Sequence, residues 1–381
     1  MAKLLMITGL GSAKDLVSGK KGAFYNTLEE FSKYWERIDI LAPKILNPKS
    51  EILNKSKIQN SKSQTIILFG NVYIHTSPWP IIFHPFWFLR KGLEIYKEHK
   101  FDLMTVHEFP PFYNGIGAWI ISILTKMPYV LEIMHIPGHP KSANFKEWFY
   151  KLLTKLFIKL DASRAKAVRV INKKETPDFL IKAGVPRQKL VYIPAFYIDL
   201  EIFKPRDVEK EYDLIFIGRL ETNKGVDLFL KAVRGTGLRA IVVGNGSLKN
   251  IVKSKIENWK LKINMHGWAK DSQEVAELIN KSRILVMPSY NEGGPRVVLE
   301  AMACGVPVLA TPVGIVPDLL KNGSGGEIIA WEADDIASKA KGLLNDPKKY
   351  REYSLNGLET VKQFEKKEAI KNYAEKLKSI L

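Results

Sequence analysis

The sequence has 381 residues, of which 46% are hydrophobic and 26% are charged, the balance of an ordinary globular protein. A single hydrophobic core rarely grows beyond about 250–300 residues, so this length predicts two domains. No apolar run is long enough to span a bilayer, no signal-peptide pattern precedes the first predicted strand at Lys3, and Cys304 is the only cysteine. An internal disulfide is therefore excluded, and a reducing cytoplasm is the expected location.

The net charge of +18 is concentrated in the first half of the chain. Residues 1–200 hold 29 basic and 16 acidic residues, a net charge of +13, whereas residues 201–381 hold 29 and 24, a net charge of +5. A basic half indicates an anionic partner, such as a membrane surface, a nucleic acid or a phosphorylated substrate. The alternative is that the lysines serve only solubility.

Short apolar segments alternate with helical patterns along the first half, which is typical of a parallel sheet covered on both faces. A helix is predicted around Asn26–Tyr34, and the polar stretch Lys44–Gln64 is predicted to be a solvated loop or hairpin connection. The predicted strands are Lys3–Thr8, Arg37–Leu41, Thr65–Phe69, Leu103–His107, Tyr129–Met134, Val168–Ile171 and Leu190–Ile193.

The alternation begins again after Pro194–Asp213, a connection with two prolines and mixed charges that we interpret as the inter-domain linker. A second α/β domain is therefore expected, and its ligands should bind beyond the carboxyl ends of its strands. The charged tail Tyr350–Leu381 is predicted to be helical. The other predicted elements are strands at Tyr212–Ile217, Ala240–Val243, Ile263–His266, Ile284–Met287 and Val306–Ala310, and helices at Gly225–Arg234 and Val297–Cys304.

The segment Pro288–Gly305 follows a predicted strand and enters a helix. Gly293 and Gly294 remove side chains where a ligand could approach the backbone, and the start of the helix offers free N–H groups to a phosphate. Glu300 interrupts an apolar run, and a buried carboxylate needs a hydrogen-bonding partner such as a ligand hydroxyl. The alternative is a capped surface helix on which Glu300 faces solvent.

Glu292 and Glu300, with seven residues between them, resemble the paired-glutamate motif of retaining nucleotide-sugar glycosyltransferases of the GT-B fold, glycosyltransferase family four, also known as glycosyl transferases group one. The segments Glu300–Val308, Thr311–Ile315 and Asn322–Gly326 are similar to further signatures of that family. The resemblance implies two Rossmann-like domains facing across a cleft, an acceptor-side domain at 1–193 and a donor-binding domain at 194–360. It also implies a C-terminal helix at 361–381 that packs back on the first domain.

The segment Phe216–Gly225 opens the second block and resembles another element of the family. From the residues alone, a basic connection between a strand and a helix with no ligand is favoured, because Arg and Lys are common in loops. The resemblance implies that Gly218, Arg219 and Lys224 lie at the donor, with the two cations neutralising a diphosphate leaving group. The segment Val242–Gly246 resembles the next strand and turn, with glycines that are structural or close to the base.

In the first block, the family brings a loop like Gly9–Ser12 over the donor phosphates, and we favour Gly11 as the contact. His135 resembles the family's histidine near the reacting sugar, although a histidine at a strand end has structural roles too. The spacing of His107, His135 and His139 matches no common metal-ligand set, and the resembled family works without a catalytic metal. No cofactor is expected besides the nucleotide-sugar substrate.

The resemblance implies a mechanism in which Arg219, Lys224 and the Gly293 and Gly294 amides stabilise the departing nucleoside diphosphate. Glu300 would bond the nucleotide ribose. Glu292 would bond hydroxyls of the transferred hexose and steady positive charge at its anomeric carbon. His135 would contact the donor, and anomeric configuration would be retained. No residue in the sequence distinguishes UDP from GDP or ADP.

The segment Phe145–Leu160 is amphipathic on a helix, with a lysine stripe that contains Trp148. Such a pattern suits the headgroup region of an anionic membrane, and the alternative is a core helix with a solvated back. A second candidate is the aromatic stretch Pro78–Lys91, which is alternatively a buried loop or a wall of an acceptor pocket. These features favour a lipid-linked, phosphorylated or glycan acceptor and peripheral contact with the inner face of the cell membrane.

Two other functions are compatible with parts of this pattern. A basic nucleic-acid-binding protein would explain the charge, but the sequence has no zinc knuckle, helix-turn-helix pattern or aromatic RNA-binding signature, so no nucleic-acid partner is expected. A nucleotide-sugar 2-epimerase shares the two-block architecture. The motifs at 218–225 and 292–300 favour sugar transfer over epimerisation.

Overall fold

A computed structural model of the protein describes residues 1–9, 16, 23–43, 65–80, 83–108, 110 and 113–381, without the side chains of Ala23 and Tyr113. Contacts divide the chain into two compact units. The first unit comprises Met1–Met134, Leu152–Pro194 and Ile370–Leu381, and the second comprises His135–Lys151 and Ala195–Ala369.

The domain limits expected from the sequence differ from these units in two places. The segment His135–Lys151 is grouped with the second unit, and the return to the first unit begins at Ile370 instead of residue 361. The first difference arises because partners distant in sequence hold the segment: Asn291 Nδ2 donates to the carbonyl oxygen of Lys141 at 3.2 Å. The limits at 193 and 360 stay predictions about independently folding domains.

The first unit contains a sheet with eight strands among the described residues, in the order β3-β4-β2-β1-β5-β6-β7-β8. Neighbouring strands are parallel except β3 and β4, which form an antiparallel pair. The strand Tyr129–Ile133 is buried along its whole length and Leu103–His107 is buried except at His107, as expected of a sheet covered on both faces. The strands are β1 (Lys3–Ile7), β2 (Arg37–Ala42), β3 (Thr65–Leu68), β4 (Val72–Thr76), β5 (Leu103–His107), β6 (Tyr129–Ile133), β7 (Ala167–Val170) and β8 (Leu190–Tyr192).

The connections of this sheet contain five helices among the described residues. The fourth of them begins in the segment grouped with the second unit and ends in the first unit. The helices are α1 (Ala23–Phe31), α2 (His84–His99), α3 (Tyr113–Thr125), α4 (Phe145–Ser163) and α5 (Glu175–Lys182).

The second unit contains a sheet with six strands, in the order β11-β10-β9-β12-β13-β14, and every neighbouring pair is parallel. Its core is apolar, built from side chains such as Phe216, Phe229 and Ile284. The strands are β9 (Tyr212–Ile217), β10 (Ala240–Val243), β11 (Ile263–Gly267), β12 (Ser282–Met287), β13 (Val308–Ala310) and β14 (Gly326–Ile328). The helices are α6 (Val226–Thr236), α7 (Lys249–Asn258), α8 (Ser272–Asn280), α9 (Arg296–Ala303), α10 (Val316–Leu319), α11 (Ala333–Leu344) and α12 (Pro347–Val361).

The last helix, α13 (Lys366–Lys378), returns to the first unit, as the sequence implied. Tyr373 on this helix donates its hydroxyl to Glu132 Oε1 at 2.8 Å, and Arg169 Nη1 donates to the same oxygen at 2.6 Å. Arg169 also donates to the carbonyl oxygens of Ile193 and Pro194, so its buried guanidinium is well satisfied. This network ties the chain end to the centre of the first sheet.

Three sequence expectations differ from the structure. The predicted tail helix Tyr350–Leu381 is two helices, because a 3-10 turn at Lys362–Phe364 separates α12 from α13. The stretch Pro78–Lys91 is largely the start of α2 and not a loop. Strands β4 and β14 were not predicted, because His75 and Glu327 interrupt their short apolar runs. The predicted loop Lys44–Gln64 lies outside the described residues.

Of the helices in the described part of the chain, none is both long enough and apolar enough to cross a bilayer.

Candidate active site

The order in which strands are added to the second sheet reverses between β9 and β12. From β9 the chain continues to β10 and β11 on one side, and from β12 it continues to β13 and β14 on the other. The loops that leave the carboxyl ends of β9 and β12 therefore diverge, and ligands of open α/β sheets bind in the crevice at such a switch point. Six of the predicted donor residues follow these two strands: Gly218, Arg219, Lys224, Glu292, Gly293 and Gly294.

The loop after β9 is fixed by the turn after β10. Gly218 N donates to Val243 O at 3.0 Å, and Leu220 N donates to Asn245 O at 2.9 Å. A Cβ atom at Gly244 would lie 1.8 Å from the Gly218 carbonyl oxygen, so the two loops touch only because residue 244 is glycine. This close approach gives the turn a structural role. The next side chain, Arg219, is exposed.

A second contact joins the loop after β9 to the loop after β12. Tyr290 N donates to Asn223 O at 2.8 Å. Gly225 has a φ of +69°, and a Cβ atom there would lie 2.0 Å from the carbonyl oxygen of Pro288. A larger residue at position 225 would push the two loops apart, so glycine sets their separation.

Lys224 and Glu292 form an ion pair across the switch point. Lys224 Nζ contacts Glu292 Oε1, and Ser289 Oγ donates to the same carboxylate oxygen at 3.1 Å. The Lys224 and Glu292 side chains remain 20% and 16% exposed, so solvent or a ligand can reach the pair. The structure thus brings together the residue predicted on the phosphate side and the residue predicted on the sugar side.

The start of α9 follows Gly293 and Gly294 directly. A Cβ atom at Gly294 would lie 2.2 Å from Phe196 Cδ1, so the chain passes this ring only as glycine. Pro295 occupies the N-cap position, and no side chain in the described part of the chain caps the helix there. The Val298 amide donates to the Pro295 carbonyl oxygen at 3.1 Å, and no side-chain cap from the described residues occupies the earlier amides of the first turn. The positive end of the helix dipole faces the same loop.

The motif Thr311–Ile315 positions Gly293. Ile315 N donates to Gly293 O at 3.2 Å, and a Cβ atom at Gly314 would lie 2.0 Å from the same oxygen. Thr311, which is fully buried, donates its hydroxyl to Ser289 O at 2.6 Å. The motif that carried part of the family resemblance therefore shapes the glutamate loop from behind.

Glu300 lies in the second turn of α9 and is partly exposed. Burial raises the pKa of its carboxyl to about 7, although the positive charge of Arg296 opposes the rise. The described residues supply its carboxylate with no hydrogen bond. The sequence alternative of a fully solvated Glu300 is therefore not what the structure shows, and the carboxylate is left with capacity to accept hydrogen bonds from a ligand.

The sequence reasoning missed the residues that support this loop. Asn291, which is 3% exposed, donates to Glu147 Oε2 at 2.8 Å in the first turn of α4. Trp331 Nε1 donates to Ser289 O at 2.9 Å, and Lys141 Nζ lies 5.1 Å from the centroid of the Trp331 ring. No local pattern signals these roles, because each partner is distant along the chain.

The remaining predicted residues, Gly11 and His135, follow β1 and β6 in the sequence. The switch point of the first sheet lies between β1 and β5, and Gly11 lies outside the described residues that follow β1. His107 ends β5, and burial lowers its pKa, against the opposing charge of Glu132. His135 follows β6 and is exposed. Its predicted contact with the donor stays a prediction.

Two buried carboxyl groups, Glu108 and Asp161, lie beside Gly115 in the first unit. Glu108 accepts a hydrogen bond from Gly115 N, and Asp161 on α4 is completely buried with both carboxylate oxygens lacking a hydrogen-bond partner among the described residues. Burial raises the pKa of Asp161 to about 7. The described residues contain no group of three or more His, Cys, Asp or Glu side chains that could hold a metal ion.

A parallel six-stranded sheet with charged loops and a helix start at its switch point defines a Rossmann-like unit. Residues 198–360 match the model of the family described as glycosyl transferases group 1. This segment therefore belongs to that family, as its motifs predicted.

Two curated relatives each match less than half of the chain. An uncharacterized glycosyltransferase of Methanocaldococcus jannaschii is 32% identical over 162 residues, which are 41% of this chain and 45% of the relative. An α-1,4-N-acetyl-D-galactosaminyltransferase of Campylobacter jejuni, whose name includes an undecaprenol-diphosphate-linked glycan, is 29% identical over 189 residues, 48% of this chain and 52% of the relative. The chain thus spans about half the length of the curated relatives it matches.

Solved structures match the whole chain. Sucrose-phosphate synthase from Thermosynechococcus elongatus superposes with a TM-score of 0.78 at 16% identity, covering 100% of this chain and 98% of that one. Anabaena HepE, solved in complex with UDP-glucose, superposes with a TM-score of 0.74 at 18% identity and covers 100% of both chains. These likenesses confirm the predicted GT-B fold.

Proposed function

We propose that the protein is a glycosyltransferase that takes a hexose-type sugar from a nucleoside-diphosphate sugar bound at the switch point of the second sheet. The observation that carries the proposal is the Lys224–Glu292 ion pair between the loops after β9 and β12, in front of the uncapped start of α9. A cation, a carboxylate and the amides at a helix start, all beyond the carboxyl ends of the same sheet, suit a ligand with both phosphates and hydroxyls.

The ion pair suggests how the donor is received. A diphosphate that reaches Lys224 competes with Glu292 for its ammonium group, and Arg219 in the same loop adds a second cation. Glu292 is then released to accept hydrogen bonds from sugar hydroxyls and to steady positive charge at the anomeric carbon. Glu300, whose carboxylate has no bond from described residues, would accept from the nucleotide ribose.

In the transfer step, the bond between the anomeric carbon and the diphosphate oxygen breaks, and a bond from that carbon to an acceptor hydroxyl oxygen forms. Arg219, Lys224 and the Gly293 and Gly294 amides stabilise the leaving group, which takes up the acceptor proton. We propose that the acceptor attacks on the face that the leaving group vacates, so that the anomeric configuration is retained. The two cations carry the charge stabilisation, so we expect no metal requirement.

The proposed acceptor is lipid-linked, phosphorylated or part of a glycan. The +13 net charge of residues 1–200 supports an anionic acceptor or surface. The Campylobacter relative's name, with its undecaprenol-diphosphate-linked glycan, is consistent with this choice. We expect the protein to work in the cytoplasm at the inner face of the cell membrane.

The first experiment is a thermal-shift panel of UDP, GDP, ADP and their sugars. A nucleotide that binds only the folded state raises its stability by roughly 2.7 kcal/mol at a hundred times its Kd, so the matching base should stand out. The labelled donor is then incubated with the protein and candidate acceptors. Sugar transfer with release of the nucleoside diphosphate supports the proposal, whereas epimerisation without nucleotide release would assign the chain to the 2-epimerases.

A further inference from the structure

The helix α4 presents its most apolar face to solvent. Seven of the nineteen exposed large hydrophobic side chains among the described residues lie on this one helix. The residues that α4 buries are mostly small or polar. The exposed set is Phe145 77%, Trp148 48%, Phe149 43%, Leu152 42%, Leu156 65%, Phe157 38% and Leu160 46%, and the buried set is Thr154, Ile158, Asp161 and Ala162.

This arrangement reverses the ordinary one, in which an amphipathic helix packs its apolar stripe on the core. At about 100° per residue, Leu152, Leu156 and Leu160 fall on one side of α4, and Thr154, Ile158 and Asp161 fall on the opposite side. A soluble protein rarely exposes a continuous apolar surface without a partner for it. The core-helix alternative for this segment is therefore wrong.

The helix α3 also exposes apolar side chains in the first unit. Trp119 Nε1 on α3 donates to Ser163 Oγ at the end of α4, at 3.2 Å, so the two helices meet at that end. Ile123, one turn after Trp119, is 42% exposed, and Leu124 is 62% exposed. We define the α4 surface as Leu152, Leu156, Phe157 and Leu160 with Lys155 and Lys159.

The charges of the α4 surface identify its partner. Lys155 and Lys159 are exposed beside the leucines, and the segment from Lys151 to Leu160 contains no acidic residue. The next acid, Asp161, is completely buried. Apolar side chains flanked by lysines complement the acyl boundary and headgroups of an anionic bilayer. A symmetric dimer through the same face would instead place these lysines against their own copies.

We propose that the α4 surface binds the interface of anionic membranes, with its leucines below the headgroups and its lysines among them. The inference deepens the proposed function, because it places the enzyme where a lipid-linked acceptor resides. The first turn of α4 is also hydrogen-bonded to the donor loop, through Glu147 and Asn291. Membrane binding itself does not depend on sugar-transfer chemistry and is measured without a donor.

The test is co-sedimentation with vesicles of phosphatidylcholine alone and of phosphatidylcholine mixed with phosphatidylglycerol. We expect binding to the anionic vesicles only, weakened by salt. Leu156→Glu and the double variant Lys155→Glu/Lys159→Glu should each bind at least about tenfold more weakly. The control is Leu355→Glu, which changes a leucine of α12 that is 55% exposed and should bind as the wild type does.

Thermal unfolding and nucleotide shifts of each variant show that the fold and the donor site are intact. The inference is overturned if the wild type does not bind anionic vesicles, or if Leu156→Glu binds them as well as the wild type does. It is also overturned if the α4 surface forms dimers that do not dissociate when vesicles are added. Loss of vesicle binding with normal nucleotide shifts would leave the proposed donor site standing. Normal vesicle binding without any nucleotide shift would count against that site alone.

Discussion

Glu300 in the second unit and Asp161 in the first have carboxyl groups whose pKa values burial raises to about 7. Neither carboxylate receives a hydrogen bond from described residues. Glu300 is partly exposed on a helix that starts at a switch point, whereas Asp161 is completely buried. A raised pKa alone therefore does not identify a ligand site. Access from solvent and nearby groups that suit a ligand are needed as well.

The comparison predicts that activity depends on the loops around Glu300 and not on Asp161. The largest effect is expected for Glu292→Ala, because it removes charge stabilisation at the reacting carbon. We expect the transfer rate to fall by roughly 10²–10³ while nucleotide affinity changes little. Release of the nucleoside diphosphate from the matching donor is the measurement. Glu201→Ala, on a side chain that is 93% exposed, is the control. Equal transfer rates in the wild type and Glu292→Ala would show that Glu292 does not act in sugar transfer.

Arg219→Ala should weaken nucleotide binding by about 10–100-fold, because a charge-assisted bond to phosphate is lost. Arg351→Ala removes an equally exposed arginine from α12 and should have no such effect. Isothermal titration of the matching nucleoside diphosphate distinguishes the two. If both variants bind as the wild type does, the phosphates lie elsewhere.

Asp161→Asn tests whether burial raises the pKa of the Asp161 carboxyl. The folded protein keeps the Asp161 proton up to about pH 7, whereas the unfolded chain releases it near pH 4, so the unfolding free energy of the wild type falls as pH rises between these values. The variant lacks this fall and should gain about 2 kcal/mol relative to the wild type between about pH 5 and about pH 8. Urea unfolding at the two pH values measures the gain. A pH-independent difference would contradict the assigned pKa.

Glu300→Gln should show the smallest stability change and a different ligand response. Burial raises the pKa of Glu300 as it raises that of Asp161, so the unfolding free energy of the wild type falls as pH rises from about 4.5 to about 7. Glu300→Gln should therefore gain about 1 kcal/mol relative to the wild type over this range, after allowance for the partial exposure of Glu300. Unlike Asp161→Asn, it should also reduce the thermal shift produced by nucleotide. Identical thermal shifts with nucleotide in the two variants would contradict the expectation that Glu300, and not Asp161, contacts the nucleotide.

Much of the second unit was predictable, because its strands are short apolar runs and its loop residues lie next to them in sequence. Gly218, Lys224 and Glu292 were predicted in the segments that follow two strands, and the structure has them in the loops after β9 and β12. The Lys224–Glu292 pair was not predictable, because it depends on β9 and β12 being neighbours in the sheet.

The first unit was harder to predict. Helical periodicity located the apolar stripe of α4, but periodicity contains no information about what covers a stripe, and here the described contacts leave it exposed. The role of Asn291 was missed for a related reason: its partner Glu147 is 144 residues away along the chain. Patterns of short range predict elements and strand ends, whereas contacts of long range decide which faces and loops meet.

Amide hydrogen exchange of the wild type, with and without the nucleotide that gives the largest thermal shift, tests whether a nucleoside diphosphate binds between the loops after β9 and β12. We expect residues 218–225 and 288–300 to become protected together on binding, while the amides around Asp161 are unchanged. A bound nucleotide that leaves both loops unprotected would rule out the proposed site.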